Sequence, residues 1–481
     1  MSRRAFSLYF FVVFLFEVSM RNEPKSRVLD KGLWGMSAPM LIDQAVIYTI
    51  PLLDMFFLSR ISDSAAAAVG AITPMIFVAN ALLFITSFAG ASIASQRIGG
   101  GDYQTANATI VVYALVVVVL GLVAAQTLIH GAPWVVSLMP VTDEVEIHAA
   151  NYLGIIGWMV ALWGCRTIYQ TIFNIYGEPK WNSVSNVIFF FCNLLGNYIA
   201  IFGLWIIPPS GVSGVAWASV ISALITFIFV MSVAHFRLNI RLPVAYAMQH
   251  FRQLFQPILR IAAPSILEPM SFQGNMMVLN WIAANVSVLA LTLKVYTYNT
   301  FLFCLMISIA LSMATEAIIA QRIGRKEFDI ADLQLRESLK ISLWGTGLLA
   351  LFWWVFNQQV LGIFTSDPDI LALGAWAFFL AFLSEPGRTV NIVIGSALRS
   401  TGDATFTSLS SIAVIWLFSV PLAYILAIPF EMGLYGLLIA AIIDETVRAC
   451  IKWWRWKQRK WEGYGVAVWE ARQLAKRQRP D

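Results

Sequence analysis

The stretch Gln96-Arg97-Ile98-Gly99 occurs a second time, unchanged, as Gln321-Arg322-Ile323-Gly324, 225 positions later. Further matches keep the same offset along the chain. They are Ala38-Pro39 with Ala263-Pro264, Asp43 with Glu268, and Gly177-Glu178 with Gly402-Asp403. Because the matches lie at separate places in each half, they indicate an internal duplication, which is a feature of many membrane transporters.

The composition indicates what kind of unit is duplicated. Of the 481 residues, 59% are hydrophobic and 12% are charged, and the mean hydropathy is +0.73. A soluble domain has about 25% charged residues. Apolar runs of about 20 residues cross a bilayer as helices, because in lipid each backbone polar group must be paired within its own segment. We therefore predict an all-α polytopic membrane protein.

Twelve such runs can be drawn, six in each half. Because six is an even number, the two six-helix bundles are parallel, and we predict that a pseudo-twofold axis along the membrane normal relates them. The predicted regions are an N-terminal segment 1–31, an N-lobe 32–235, an interfacial linker 236–256, a C-lobe 257–460 and a basic tail 461–481. The predicted spans are Leu33–Leu58, Ala65–Ser95, Ala106–His130, Val145–Ile175, Trp181–Ile206, Val212–His235, Ile258–Ala284, Val288–Ala320, Leu333–Phe364, Ile370–Leu398, Thr405–Ile428 and Leu434–Trp454.

The first residues of the chain are treated separately. Arg3 and Arg4 precede an apolar run from Ala5 to Phe16, a pattern similar to the start of a signal peptide. Two interpretations remain, a short interfacial segment or a translation start at Met20, and we favour the second.

Loop charges predict the orientation. One alternating set of connections and both termini are basic, whereas the opposite set is acidic, so the positive-inside rule places both termini in the cytoplasm. The basic connections hold Arg97, Lys180, Arg237, Arg252, Arg322, Lys326 and Arg399, and the acidic ones hold Asp63, Asp143, Glu144, Asp367 and Glu431. The formal charge of +5 therefore reflects topology, and no nucleic-acid partner is expected.

With the repeat and the spans in place, the chain resembles the multidrug and toxic compound extrusion (MATE) family, in particular its bacterial NorM- and DinF-like members. This resemblance implies export driven by an inward H⁺ or Na⁺ gradient, commonly of amphipathic organic cations. The motifs that carry it are Pro39…Asp54, Gln96-Arg97-Ile98-Gly99-Gly100-Gly101-Asp102, Asn193…Asn197-Tyr198…Phe202-Gly203, and Glu385-Pro386-Gly387-Arg388…Asn391…Ala397-Leu398-Arg399…Gly402-Asp403.

The chain departs from the family pattern at three acidic positions. NorM-type members have acids where this chain has Phe272 and Arg388, and archaeal-type members have an aspartate where it has Asn197. The first-helix acid is kept as Asp54. Charges inside a membrane are costly, at least about 2.5–3.5 kcal/mol each, so an intramembrane acid is a functional candidate.

We therefore predict that Asp54 is the coupling residue, with Asn193 and Asn197 beside it. A proton needs a single carboxylate, whereas Na⁺ needs several oxygen ligands, which only neutral amides supply here. Protons are favoured and Na⁺ is the alternative. The structural alternative for Asp54 is a carboxylate fixed by helix packing.

Four other charged residues are candidates for a substrate site or a polar network: Asp43, Glu268, Glu385 and Arg388. A structural pairing between helices is an equally good interpretation for Asp43 and Glu268, and the better one for Glu385 with Arg388, which are three residues apart. Glu268 is a candidate third member of the Glu385–Arg388 pair. Charges near the end of the last span are expected to serve packing or gating; they are Asp444, Glu445 and Arg448.

Other classes of protein fit less well. No HExxH catalytic set occurs, so no enzyme is expected, and the scattered cysteines and histidines indicate no metal site or cofactor. The partners expected are a small-molecule substrate and the lipid bilayer, with the protein a monomer. Besides drug export, the alternatives are a dedicated exporter of a metabolite or siderophore and, more remotely, a flippase for lipid-linked sugars.

Overall fold

The computed structural model describes residues 25–137, 143–204, 208–238, 242–468 and 470–471. The expectation about Met20 and the run before it lies outside these residues. The described chain is built from helices and divides into two compact units. The first unit ends at Leu259, and the second begins at Arg260 and includes Gly99–Gly101.

The first unit contains six long helices at the positions of the first six predicted spans. Within it α3 packs on α4, α4 and α5 both pack on α6, and α1 packs on α5. Proline interrupts α1 at Pro39 and Pro51, where the missing N–H removes a backbone hydrogen bond. The helices are α1 (Val28–Ser59), α2 (Asp63–Gly99), α3 (Tyr103–Ser137), α4 (Asp143–Tyr176), α5 (Lys180–Phe202) and α6 (Gly211–Val233), followed by a π-turn (Ala234–Leu238) and a short α7 (Val244–Gln249).

The second unit repeats this plan. In it α9, α10 and α15 all pack on α12, which is the central helix. The helices are α8 (Phe251–Val286), α9 (Val288–Gly324), α10 (Phe328–Val355), α11 (Asn357–Phe364), α12 (Pro368–Thr401), α13 (Ala404–Val414), a π-turn (Ile415–Ser419), α14 (Val420–Ala427), α15 (Gly433–Lys457) and a 3₁₀ turn (Lys460–Gly463).

Two predicted spans are less regular than expected. The ninth, Leu333–Phe364, is broken at Phe356 into α10 and α11. The eleventh contains the π-turn, which comes just before Pro421, where the ring cannot donate the next backbone bond. The seventh begins earlier than predicted, because α8 starts at Phe251, inside the region assigned to the linker.

Ten helices of the described ranges are long and apolar enough to cross a membrane. The other two predicted spans, within α8 and α15, are helical throughout but carry more polar residues. These residues pair with one another, as Glu268 on α8 and Lys452 on α15 do. Their low hydropathy therefore results from a polar network inside the unit. The predicted fold class, an all-α polytopic membrane protein with six long helices in each half, is confirmed.

Candidate functional site

Asp54, Asn193 and Asn197 come together in the first unit, where α1, α5 and α6 meet. Asn197 Nδ2 donates to Asp54 Oδ1 at 2.6 Å and lies 3.1 Å from Asn193 Oδ1. Asn193 Nδ2 in turn donates to Ser219 Oγ at 2.9 Å. The two asparagines are four residues apart, so they share one face of α5. A continuous chain of hydrogen bonds therefore connects α6 to the carboxylate of α1.

The surroundings of this chain are apolar. Leu58, Tyr152 and Ala200 belong to a buried cluster contributed by α1, α4 and α5. Asn193 and Asn197 are fully buried, and Asn197 Oδ1 has no hydrogen-bond donor among the described residues. Polar groups that are shielded from water interact strongly with one another and are costly when left unpaired. Next to Asp54, therefore, the amide of Asn197 has a donor, Nδ2, that is engaged and an acceptor, Oδ1, that is unused.

Asp43 lies in a second polar cluster of the first unit and is itself buried. Its carboxylate accepts from Gln170 Nε2 at 3.1 Å and from the amide of Asn186. Asn186 Oδ1 accepts from Arg166, whose guanidinium also donates to Ser185 Oγ at 3.1 Å. The charges of Asp43 and Arg166 are thus linked through one amide. This arrangement ties α1 to α4 and α5.

Glu268, the repeat counterpart of Asp43, has different partners. Its carboxylate pairs with Lys452 Nζ on α15 and with Arg399 Nη1 on α12, each at 3.3 Å. The counterpart of Gln170 is Gly395, and a Cβ built there would lie 3.0 Å from Lys452 Nζ. The absence of a side chain at Gly395 leaves room for this lysine. The acid at this repeat position is therefore hydrogen-bonded by amides in the first half and paired with cations in the second half.

Glu385 and Arg388 form the predicted pair on α12, with 2.6 Å between Oε1 and Nη1. Arg388 Nε also lies 3.7 Å from Glu445 on α15. Arg448 Nη2 continues the series, at 3.0 Å from Glu445 and in contact with Asp444. Four of the five side chains in this series are almost completely buried, and the fifth, Arg388, is mostly buried. Glu268 was a candidate third member of the Glu385–Arg388 pair, but its described ion pairs are with Arg399 and Lys452.

The sequence reasoning missed Lys452. It lies in the second half of the last span, and its side chain is 2% exposed and paired with Glu268. The signal that could have revealed it is helical spacing, since Glu445, Arg448 and Lys452 follow one another at intervals of three and four residues. Such spacing puts them on one face of α15, where a neighbouring helix must supply compensating charge.

Within the spans, several polar residues of one half have no polar counterpart in the other half. At the 225-residue offset, Asp54 and Asn197 correspond to Leu279 and Leu422. Four charged residues of α12 and α15 likewise correspond to apolar ones in the first half. These pairs are Glu385 with Val160, Arg388 with Trp163, Glu445 with Val220, and Arg448 with Ala223. The two halves have therefore kept a common framework and acquired separate polar sites.

Outside the spans, Glu178 holds the connection between α4 and α5. Lys180 and Lys31 lie 3.1 and 3.3 Å from its carboxylate, and Arg27 lies at 3.7 Å. Burial by itself would raise the pKa of Glu178, but the hydrogen bond from Lys180 and the charge of Lys31 outweigh it and hold that pKa below 4.5. Its repeat counterpart Asp403 is paired with Arg455 at 2.6 Å. In both halves, therefore, an acidic residue in the loop after the fourth span is held by basic side chains.

Buried ionisable residues in long apolar helices are typical of proteins that move ions or solutes across membranes. Among the residues that the structure describes, no three or more His, Cys, Asp or Glu side chains form a cluster that could hold a metal ion. The fold and these sites define a polytopic helical transport protein.

The sequence matches the MatE family over residues 39–199 and 264–425, which together exceed half of the chain. The protein therefore belongs to the MATE family of transporters. The two matches begin at Pro39 and Pro264, the prolines of the repeated Ala-Pro pair.

Several relatives are similar over nearly their whole length. The "Uncharacterized transporter YisQ" of Bacillus subtilis is 28% identical over 94% of this chain and 99% of its own. The "Probable multidrug resistance protein NorM" of Mannheimia succiniciproducens is 24% identical over 89% of this chain and 94% of its own. A solved MOP superfamily transporter from Pyrococcus furiosus has the same fold, with a TM-score of 0.82 at 20% identity over 94% and 98% of the two chains.

Proposed function

We propose that this protein is an antiporter of the bacterial inner membrane that exports small amphipathic organic compounds and takes up a cation in exchange. Both termini are cytoplasmic in this proposal, in keeping with the basic connections. The duplicated six-helix halves support alternating access, in which two bundles move against each other. The coupling ion is H⁺ rather than Na⁺, and Asp54 carries it.

The observation that carries the proposal is the hydrogen bond from Asn197 Nδ2 to Asp54 Oδ1 at 2.6 Å. An ionised carboxylate accepts this bond, and a charge-assisted bond is about twice as strong as a neutral one. Once protonated, Asp54 becomes a donor, and Asn197 can turn its unused Oδ1 toward it. Proton uptake therefore weakens and rearranges the connection between α1 and α5.

The position of Asp54 in α1 makes such a change effective. Pro51, three residues earlier, lacks the N–H that would bond to the carbonyl of Ile47. The helix is consequently weakened just before the carboxylate, and a kink there can act as a hinge. A change in the Asp54 hydrogen bond then alters the end of α1 without disturbing its beginning.

The same geometry favours H⁺ over Na⁺. A dehydrated Na⁺ needs several oxygen ligands, and among the described residues the side-chain partners of Asp54 are the amides of Asn193 and Asn197. Asn197 presents its nitrogen to the carboxylate. A proton needs no further ligand.

The substrate class rests on the relatives. Those named NorM are multidrug resistance proteins, and this supports drug-like organic compounds as cargo. The relative of 28% identity is named only as an uncharacterized transporter, and a dedicated exporter of a metabolite or siderophore is the second candidate. Metabolite profiles of the medium from a deletion strain and its parent distinguish the two. Only the loss of a dedicated exporter depletes one particular compound from the medium.

Asp54→Asn is the test of coupling. The substitution keeps the size of the side chain and removes its titratable charge. The parent and the variant are reconstituted in liposomes, and ethidium transport driven by a pH gradient is measured. The variant should lose this transport. Asp30→Asn is the matched control, since Asp30 is an exposed carboxylate at the start of the same helix.

Each outcome has a distinct meaning. Transport by Asp54→Asn at the parental rate under a pH gradient would remove Asp54 from the coupling role. Parental transport that follows a Na⁺ gradient and ignores pH would overturn the choice of ion alone. If the parent moves no ethidium yet a deletion strain retains one metabolite, broad export is wrong and the dedicated exporter replaces it.

A further inference from the structure

A cavity of about 500 Å³ lies at one end of the second unit, where α8, α13 and α15 meet. It is lined by Arg260, Asp403, Phe406, Leu409, Arg455 and Tyr464, among others. We call it the Arg260 cavity. None of these residues belongs to the coupling site proposed above. The cavity lies where the last helix ends in a basic segment, the side that the loop charges predict to be cytoplasmic.

The Arg260 cavity has more positive than negative charge. Arg455 donates to both oxygens of Asp403, at 2.6 and 3.3 Å, and to the Tyr464 hydroxyl at 3.2 Å. These bonds use Nε and Nη2 of the guanidinium. The Arg260 guanidinium lies over the Tyr464 ring, 5.3 Å from its centroid. Two cations and one carboxylate line the cavity, and their net positive charge suits an anion.

An apolar surface continues from the mouth of the cavity. Leu409 on α13 is 52% exposed, and Trp416 and Leu417 in the following π-turn are 40% and 80% exposed. They are seven and eight residues from Leu409, about two turns or 12 Å along the helix. The residue between them, Ala413, is exposed as well. A cationic cavity is thus joined to a stripe of exposed apolar side chains on one helix face.

We propose that the Arg260 cavity binds the phosphate of an anionic glycerophospholipid, whose acyl chains lie along the α13 stripe. Basic pockets between membrane helices on the cytoplasmic side are suited to such headgroups. The guanidinium of Arg260 and that of Arg455 supply planar donors matched to phosphate oxygens. The apolar stripe distinguishes a lipid from a free phosphate, which has nothing to place there.

Native mass spectrometry of the detergent-purified full chain tests this proposal, with dioleoyl phosphatidylglycerol, dioleoyl phosphatidylcholine and glycerol 3-phosphate as the probes. Phosphatidylglycerol should bind at least tenfold more tightly than either of the others. Arg260→Gln should weaken phosphatidylglycerol binding about tenfold, the loss of one charged hydrogen bond. Arg325→Gln, an exposed cation in the loop after α9, is the matched control and should leave it unchanged.

A second variant covers the case in which Arg260→Gln fails to fold. Thr405 lines the cavity, is exposed and begins the first turn of α13, where an acidic side chain suits the helix dipole. Thr405→Glu should therefore fold and repel the headgroup, with binding of phosphatidylglycerol reduced and that of phosphatidylcholine unchanged. Equal binding of the two lipids overturns the proposal, as does an equal loss in Arg325→Gln. Binding of glycerol 3-phosphate as tight as that of phosphatidylglycerol replaces the lipid with a free phosphate.

Discussion

Lys452→Met tests whether the buried network between α8 and α15 stabilises the second unit. The side chain of Lys452 is 2% exposed, and its Nζ lies 3.3 Å from Glu268. At an effective dielectric constant of about 20, unit charges at this separation attract by roughly 5 kcal/mol before the cost of desolvation. Removing one partner of a buried pair typically costs about 3–5 kcal/mol, because the other charge is left behind.

The lower end of that range applies here, since Glu268 keeps Arg399 as a partner at 3.3 Å. A loss of about 3 kcal/mol corresponds to a fall in Tm of roughly 6–12 °C for a unit of about 200 residues. Thermal unfolding of the detergent-purified protein, followed by intrinsic tryptophan fluorescence, measures it. Lys457→Met is the control, because Lys457 is exposed and contacts only the Trp453 ring, 5.2 Å away, among the described residues; it should cost less than about 1 kcal/mol.

The double variant Lys452→Met/Glu268→Gln decides the reason for the loss. Each single substitution breaks the same contact, so the double variant should lose less stability than the sum of the losses of Lys452→Met and Glu268→Gln. A coupling energy of about 1–3 kcal/mol is expected for two groups in direct contact. If the losses of the two single variants simply add, Lys452 stabilises the protein by packing alone and the electrostatic reasoning fails.

Three further predictions concern other parts of the chain. Glu178→Gln should lower the Tm at pH 7, and because the pKa of Glu178 is held below 4.5 in the folded protein, the difference from the parent should shrink as the pH falls below that value; a constant difference would contradict the ion pairing. Gly90→Ala should destabilise the first unit, since the added Cβ would overlap the buried Tyr113 side chain, and an unchanged Tm would show that the ring can move. Cysteines introduced at Asp369 and Arg325 should react with an impermeant maleimide from opposite sides of the membrane, and labelling from one side would refute the topology.

Much of the fold could be predicted because membrane helices satisfy their backbone bonds locally. The predicted spans 288–320 and 370–398 lie within α9 and α12, whose bounds in the structure are Val288–Gly324 and Pro368–Thr401. A run of apolar side chains needs no knowledge of its neighbours to form such a helix in lipid. The duplication could also be predicted from the sequence, and the two family matches begin at its repeated prolines, Pro39 and Pro264.

The helices with polar faces show where this reasoning weakens. Mean hydropathy is too low to identify α8 and α15 as spans, because both helices carry charged residues. The cost of burying these charges is offset by ion pairs between the two helices, such as Glu268 with Lys452. The pairing of Asn197 with Asp54 was predicted from the resemblance, and the structure brings the two within hydrogen-bond distance. Whether that contact couples transport to protons is what the Asp54→Asn experiment decides.

By itself, the sequence determined the helical class, the duplication and the residues that carry charge in apolar surroundings. Only the tertiary structure decided which charges meet. Glu268 was a candidate partner of Arg388, yet it lies with Arg399 and Lys452, and Glu445 lies beside Arg388 instead. The physical reason is that a helix can be recognised from local composition, whereas the partner of a buried charge depends on how each helix is rotated about its axis and on which neighbour packs against it.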